Sequence, residues 1–146
     1  QNMSLVGALV PIISAMERLH KGRKLSINID DLPDMILSCD AVDLEEIISN
    51  IVDNACKWAR HKVLISWAQD ENHVQIYVDD DGPSIPPAQY DHVFAIGERL
   101  DSMTPGTGLG LAIVRDLVAL YQGTVALSKS HLGGLRVSVS LPKVSS

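Results

Sequence analysis

The stretch DAVDLEEIISNIVDNACKWA, residues 40–59, decides how the rest of the chain is read. At about 100° per residue, Leu44, Ile47, Ile48, Ile51, Val52 and Ala55 fall on one arc, the pattern of a helix with one face on a core. Asn50 and Asn54 interrupt it. Asparagine is a poor helix former that favours caps and turns, so two in one helix need local hydrogen bonds or a ligand that requires amide oxygens. Asn50, Asn54 and Lys57 are spaced i, i+4, i+7 along the rim of the arc, with Trp58 between that line and the apolar residues. Two carboxamides, an ammonium and a flat aromatic suit a metal-bound polyphosphate carrying a base and a sugar. A solvated helix edge would read the same from this stretch alone.

Working outward, Leu5, Leu9, Ile12, Ile13, Met16 and Leu19 predict an amphipathic helix over 3–20, kinked or broken at Pro11. Lys21-Gly22-Arg23 should end it, with Gly22 as the C-terminal cap. The same apolar run lacks a basic leader and a small-residue cleavage site, so it reads as helix and not as a signal peptide. LSINID (25–30) and MILSC (35–39) are short strands, and the long helix runs from about Ala41 to Arg60. VLISWAQ (63–69) and HVQIYVDD (73–80) form a hairpin around Asp70-Glu71-Asn72. DGPSIPP (81–87) is irregular, a helical turn follows over 88–94, and 95–107 is irregular again. LGLAIVRDLVALY (109–121) is an apolar helix, and GTVALSKS (123–130) and LRVSVSLP (135–142) alternate around Gly133-Gly134, leaving VSS as a frayed tail. The sum is one domain over 1–146, a two-layer α/β (α+β) sandwich: a mixed sheet of about five strands covered on one face by three helices.

At 146 residues, 46% hydrophobic and 21% charged, the chain can bury a sizeable core. No apolar run approaches the roughly 20 residues that span a bilayer. A net charge of −6 argues against nucleic acid, which calls for a basic stripe, while leaving anionic small ligands open. Cys39 and Cys56, without a CxxC or a histidine at zinc spacing, read as buried reduced thiols.

Two further motifs bear on function. VDDDGPSIPP places carboxylates where a strand ends and a tight turn begins; Asp80 there could accept a hydrogen bond from an exocyclic amine such as adenine N6. PGTGLGLAIV (105–114) runs Gly106, Gly108 and Gly110 into a helix, so that backbone N–H groups and the helix dipole can meet phosphate. It is neither a P-loop, lacking G-K-[ST], nor a dinucleotide fingerprint, since no strand leads straight into it.

In this order and spacing, NIVDNACKWA, DDDGPSIP and GTGLGLAIV resemble the N, G1 and G2 boxes of the ATP-binding domain of sensor histidine kinases, in the wider superfamily of gyrase, Hsp90 and MutL. DNACKW, DDDGPSIP and GERLDSMTPGTG look most like the PhoQ-like group of bacterial sensor kinases. The resemblance covers nearly the whole chain and implies a Bergerat-type fold that binds ATP and Mg²⁺. It assigns Mg²⁺ to Asn54 with support from Asn50, phosphate and nucleotide contacts to Lys57 and Trp58, and adenine to Asp80, with Gly82 and Ile85 in the turn. Thr107, Gly108, Leu109 and Gly110 would meet the phosphates. Residues 95–107 would form a lid with Arg99 as the γ-phosphate contact.

Departures from the pattern are Ser84 in place of a glycine, Thr104 in place of a basic residue, and Phe94 as the remnant of a phenylalanine-rich stretch. Ser84 and Thr104 should weaken ATP binding. His20, His61, His73, His92 and His131 are followed by Lys, Lys, Val, Val and Leu, so none fits a phosphoacceptor motif; all five are expected on the surface or in loops. The chain therefore resembles a catalytic domain whose substrate histidine lies upstream on a dimerisation domain. The resemblance implies a response regulator as partner and an inner-membrane homodimer as parent, with this part cytoplasmic and monomeric. Asn50 stands where superfamily ATPases place a water-activating glutamate, and an amide cannot take a proton, which favours phosphoryl transfer over hydrolysis. A superfamily ATPase, or a module that binds nucleotide or a partner without kinase activity, remains the alternative.

Overall fold

The structure is a computed structural model that describes residues 2–83, 85–90 and 109–143. Its elements are β1 (Asn2–Ser4), α1 (Leu5–Leu19), β2 (Ser26–Ile29), β3 (Ile36–Ser38), α2 (Ala41–Trp58), β4 (Lys62–Gln69), β5 (His73–Asp80), α3 (Leu109–Leu120), β6 (Thr124–Lys129) and β7 (Leu135–Pro142). Five strands make the main sheet in the order β2-β4-β5-β7-β6. β2 and β4 are parallel because α2 carries the chain back between them, and the other pairs are antiparallel. β1 and β3 form a separate antiparallel ladder, so the expected strand at 35–39 lies outside the main sheet.

Alternation along the central strands makes the two layers. Val63, Ile65 and Trp67 of β4, Val74, Ile76 and Val78 of β5, and Val137, Val139 and Leu141 of β7 are buried with the helices in one core. Ser66, Tyr77 and Ser138, which alternate with them, are half-buried on the opposite face, where Asp79 is fully enclosed. α2 lies between α1 and α3 and packs on β4 and β5. Leu44, Ile47, Ile48, Ile51 and Val52 are fully buried, each contributing ~1.5–3 kcal/mol of apolar transfer free energy, so α2 is the main bolt of the core.

Both ends of α2 are tied down. Asp40 caps the N-terminus by accepting from Val42 N–H at 2.9 Å. The Tyr121 hydroxyl, just past α3, donates to Asp43 and accepts from Asp40 N–H. At the other end the Arg23 guanidinium donates to the Cys56 and Ala59 carbonyls, satisfying orphan acceptors at the negative pole of the helix. Cys39 and Cys56 are buried; burial pushes the Cys56 thiol up to about 12, leaving it inert as nucleophile or ligand.

Three local expectations differ from the structure. Residues 3 and 4 belong to β1, and α1 starts at Leu5 because Ser4 caps it, accepting from Gly7 N–H while donating to Asp34. Pro11 does not break α1: Pro11 and the Gly7 carbonyl it deprives both lie on the exposed side, where solvent can satisfy the acceptor. Gly22 is not the cap; it sits in a 3₁₀ turn, Lys21–Arg23, and Lys24 takes the left-handed conformation with φ 54°. His20 lies in the turn after α1, as allowed, but is half-buried: its Nε2 lies 3.1 Å from Asp53 Oδ1 with 11% of the side chain exposed. The expected helical turn at 88–94 is represented by a 3₁₀ turn, Pro87–Gln89. Residues 91–94 of it, His92, Phe94, Ser84 and the 95–107 segment with Arg99 and Thr104 lie outside the described residues.

Candidate functional site

The C-terminal half of α2 answers the question its asparagines raise. Asn50 donates its amide to the Glu46 carbonyl one turn back at 2.7 Å, which fixes the carboxamide, and among the described residues its oxygen has no hydrogen bond. Asn54 differs. Among the described residues four polar side chains are buried: Asn54, Asp79, Asp80 and Ser130. Asp79, Asp80 and Ser130 are hydrogen-bonded, whereas the Asn54 carboxamide, 8% exposed, has no hydrogen bond to the described residues. No fully buried side-chain N or O among the described residues lacks a partner, so the Asn54 amide keeps its polar atoms open at the helix edge, where a ligand could bond them. Lys57 Nζ lies 3.0 Å from Asp53 Oδ2, so Asp53 bridges Lys57 to His20. Trp58 ends the helix with 49% of its surface exposed, open to stacking.

Three consecutive aspartates at the end of β5 and the start of the following turn have three different tasks. Asp79 points to the open face of the sheet, where Arg136 Nε and Nη2 donate to its two oxygens at 2.9 and 3.0 Å. The guanidinium also stacks on Tyr77, 4.4 Å from the ring centroid. Asp81 accepts from the backbone N–H groups of Arg60, His61 and Lys62 and so fastens the α2–β4 connection to the turn. Burial alone would raise its carboxyl, but these bonds outweigh burial and hold it below the usual carboxylate range.

Asp80 is 2% exposed; its Oδ1 accepts from Gly82 N–H at 2.8 Å and Leu135 N–H at 3.3 Å, and among the described residues Oδ2 has no hydrogen bond. Burial raises its carboxyl above the ordinary value, only partly offset by those two bonds. Gly82 brings the turn against α2: a Cβ there would lie 2.1 Å from the Trp58 carbonyl oxygen. That approach sets Asp80 beside the end of α2 that carries Lys57 and Trp58. Ile85 packs partly buried against the core just beyond.

α3 completes the arrangement. Its C-terminal end is tied by Tyr121 to the first turn of α2, so the two packed helices run antiparallel. Counting back from Tyr121 to Leu109, about 18 Å at 1.5 Å per residue, brings the start of α3 level with Asn54 and Ala55. Leu109 and Gly110 open that helix, which points its positive pole toward the Asn54 end of α2. Gly106, Thr107 and Gly108 lie outside the described residues.

Gly134 escaped the sequence reading except as part of a turn, as did Asp81, Arg23, Asp53 and the Asp79–Arg136 pair. The double glycine was the one available signal for Gly134. The others depend mainly on contacts between distant elements, such as Asp53 with His20 and Asp79 with Arg136, which no local pattern encodes.

Asn50 and Asn54 on the edge of α2, the buried Asp80 at the end of β5, and an antiparallel helix whose N-terminus points toward the Asn54 end of α2 are thus brought to one end of a two-layer α/β domain. The family to which this chain belongs is that of Histidine kinase-, DNA gyrase B-, and HSP90-like ATPases, whose profile matches residues 39–145. The chain is 44% identical over 133 residues, 91% of its length, to the sensor protein kinase CarS of Pseudomonas aeruginosa, and spans 30% of that protein. It is 38% identical over 88% of its length to the virulence sensor histidine kinase PhoQ of Salmonella typhimurium, spanning 26% of it. Among solved structures, the ATP binding domain of PrrB from Mycobacterium tuberculosis superposes with a TM-score of 0.82 at 27% identity, over 99% of this chain and 98% of that one. The catalytic domain of histidine kinase ThkA shares the fold, with a TM-score of 0.85 at 21% identity, over 98% of this chain and 95% of that one.

Proposed function

We propose that this chain binds Mg-ATP and delivers the γ-phosphoryl group to a histidine on a separate dimerisation domain, the catalytic step of a two-component sensor kinase. The observation that carries the reading is the Asn54 carboxamide, buried at the helix edge with no hydrogen bond to the described residues. Hard oxygen donors suit Mg²⁺, which takes one or two protein ligands and fills its shell with water and phosphate, so Asn54 with the oxygen of Asn50 fits the ion. Bound there, Mg²⁺ would neutralise charge on the phosphates.

The remaining roles fall to the chain's own groups. Asp80 offers Oδ2 to the adenine amine, in a setting dry enough that such a bond contributes of order 1.5–3 kcal/mol. Gly82 and Ile85 shape the turn beneath the base, and Trp58 stacks beside it. Lys57 meets phosphate, Leu109 and Gly110 offer backbone N–H groups at a helix N-terminus, and Thr107 and Gly108, outside the described residues, are assigned to phosphate by the motif alone. Arg99, outside the described residues, is the candidate γ-phosphate contact by resemblance. Transfer then rests on position and charge: the incoming histidine nitrogen is itself the nucleophile, and Asn50 cannot activate water as a carboxylate would. A response regulator is the next acceptor, and the parent is a membrane-bound homodimer; among the described residues no helix is long and apolar enough to cross a membrane.

The test is transfer of labelled phosphate from ATP to a separately supplied dimerisation-helix protein carrying the acceptor histidine. Label on that histidine, lost with Asn54→Ala, is expected. Steady release of inorganic phosphate with no labelled histidine would identify an ATPase instead.

A further inference from the structure

The turn between β6 and β7 approaches Asp80 more closely than a hairpin connection requires. Gly134 N–H donates to the Asp80 carbonyl at 3.1 Å, and the next residue, Leu135, donates its N–H to Asp80 Oδ1. A Cβ on Gly134 would lie 2.2 Å from Asp80 Oδ1, 2.6 Å from the Asp80 carbonyl oxygen and 2.6 Å from Gly82 N. These are backbone atoms and the oxygen of a fully enclosed carboxylate, not the far end of a flexible side chain, so none can yield cheaply. Gly133, one residue earlier, differs: it has φ +105° and a Cβ there meets nothing within 4 Å. The first glycine serves the turn and the second serves the carboxylate.

We infer that Gly134 is a positioning residue for base recognition: its bare backbone, with Leu135 N–H, forms the back wall that pins Asp80 Oδ1 and so presents Oδ2 to the base amine. This rests on Asp80 reading the adenine amine, as proposed above. A methyl at Gly134 would push Oδ1 off its two N–H donors and rotate the carboxylate, misdirecting the oxygen that faces the ligand. The consequence belongs to the base and not to the phosphates. ATP should lose affinity, ITP (an oxo group where ATP has the amine) should lose little, and discrimination between them should shrink.

The experiment compares Gly134→Ala, Gly133→Ala and Asp80→Asn by calorimetric titration with ATP, ITP and Mg-tripolyphosphate, with circular dichroism to establish folding. Gly134→Ala is expected to lower ATP affinity about tenfold, as disturbing a buried charged hydrogen bond should, to bring the ATP/ITP ratio down to that of Asp80→Asn, and to leave tripolyphosphate binding unchanged. Gly133→Ala, strained but clear of Asp80, keeps the wild-type ratio. Equal weakening of all three ligands by Gly134→Ala, or the same loss of selectivity in Gly133→Ala, would reduce Gly134 to a structural turn residue and overturn the inference. An unchanged ratio in Asp80→Asn would instead overturn the reading of Asp80 itself. Should Gly134→Ala not fold, amide resonances of the wild-type chain decide. Adenosine should shift Gly134 and Leu135 together with Gly82, and Gly134 and Leu135 unmoved while Gly82 shifts would overturn the inference.

Discussion

Asp79 and Asp80 are neighbours on one strand, both almost fully buried, yet they face opposite sides of the sheet and are handled in opposite ways. On the open face both oxygens of Asp79 are bonded by one guanidinium, and nothing is left to offer. On the helix-covered face Asp80 has one oxygen anchored by backbone and the other without a bond to the described residues. A milder contrast recurs on α2, where the Asn50 amide bonds its own helix with only its oxygen left to offer and Asn54 bonds none of the described residues. Groups bonded within the fold hold it together; those left open at its edge mark where a ligand could bond.

The largest effect should come from Asn54→Ala. Binding of Mg-ATP should fall ~100-fold or more, since even outer-shell changes at metal sites cost 10–100-fold, while thermal stability stays near wild type because no hydrogen bond to the described residues is lost. Retained affinity in calorimetry would break the contrast on α2. Next in size, Arg136→Ala should destabilise the fold by ~3 kcal/mol, toward the low end for a broken buried pair because the guanidinium is partly exposed. Chemical denaturation would measure it, and the ATP/ITP ratio should not move. A selectivity change there would mean that the two faces of β5 are coupled.

Asp80→Asn should cost ~1.5–3 kcal/mol of ATP binding with no loss of stability. The sign follows from its raised carboxyl: the folded state favours the protonated form, so the ionised group present at neutral pH opposes folding, and removing its charge relieves that cost. A clear drop in Tm would assign Asp80 to the structural class. The smallest effect should be that of Asp81→Asn, which loses ~1–2 kcal/mol at neutral pH. Because the Asp81 carboxyl is held below its ordinary value, 3.8, its contribution is present above that value and fades as pH falls through the lower folded one. Unfolding below pH 4 should therefore be less steep in the variant; an unchanged acid limb would remove Asp81 as the clamp on the α2–β4 turn.

Much of the fold was legible because it is written in local period. The α2 arc, the alternation of β4, β5 and β7, and the paired glycines in their turn each depend on residues within one element, and the structure has them where the spacing puts them. What the pattern could not show was partnership. Nothing in LSINID says that it pairs parallel with β4, and nothing in MILSC says that it leaves the main sheet for β1. The break allowed for at Pro11 is absent for a related reason: its cost depends on whether the orphaned Gly7 carbonyl reaches solvent, a tertiary fact. Among candidate site residues, Asn50, Asn54, Lys57, Trp58 and Asp80 stood out by type and spacing, and Gly82 was added by the motif resemblance. Gly134 did not, since its role exists only where a hairpin some 50 residues away closes on Asp80.

The account stands or falls on whether the open groups of α2 and β5 form a metal-dependent nucleotide site. Its most direct measurement is a calorimetric titration of ATP into this chain with Mg²⁺ present and again with Mg²⁺ chelated. One saturable site in the presence of the ion, and a collapse of affinity without it, is the expected result. Equal binding in both conditions, or none in either, would contradict it.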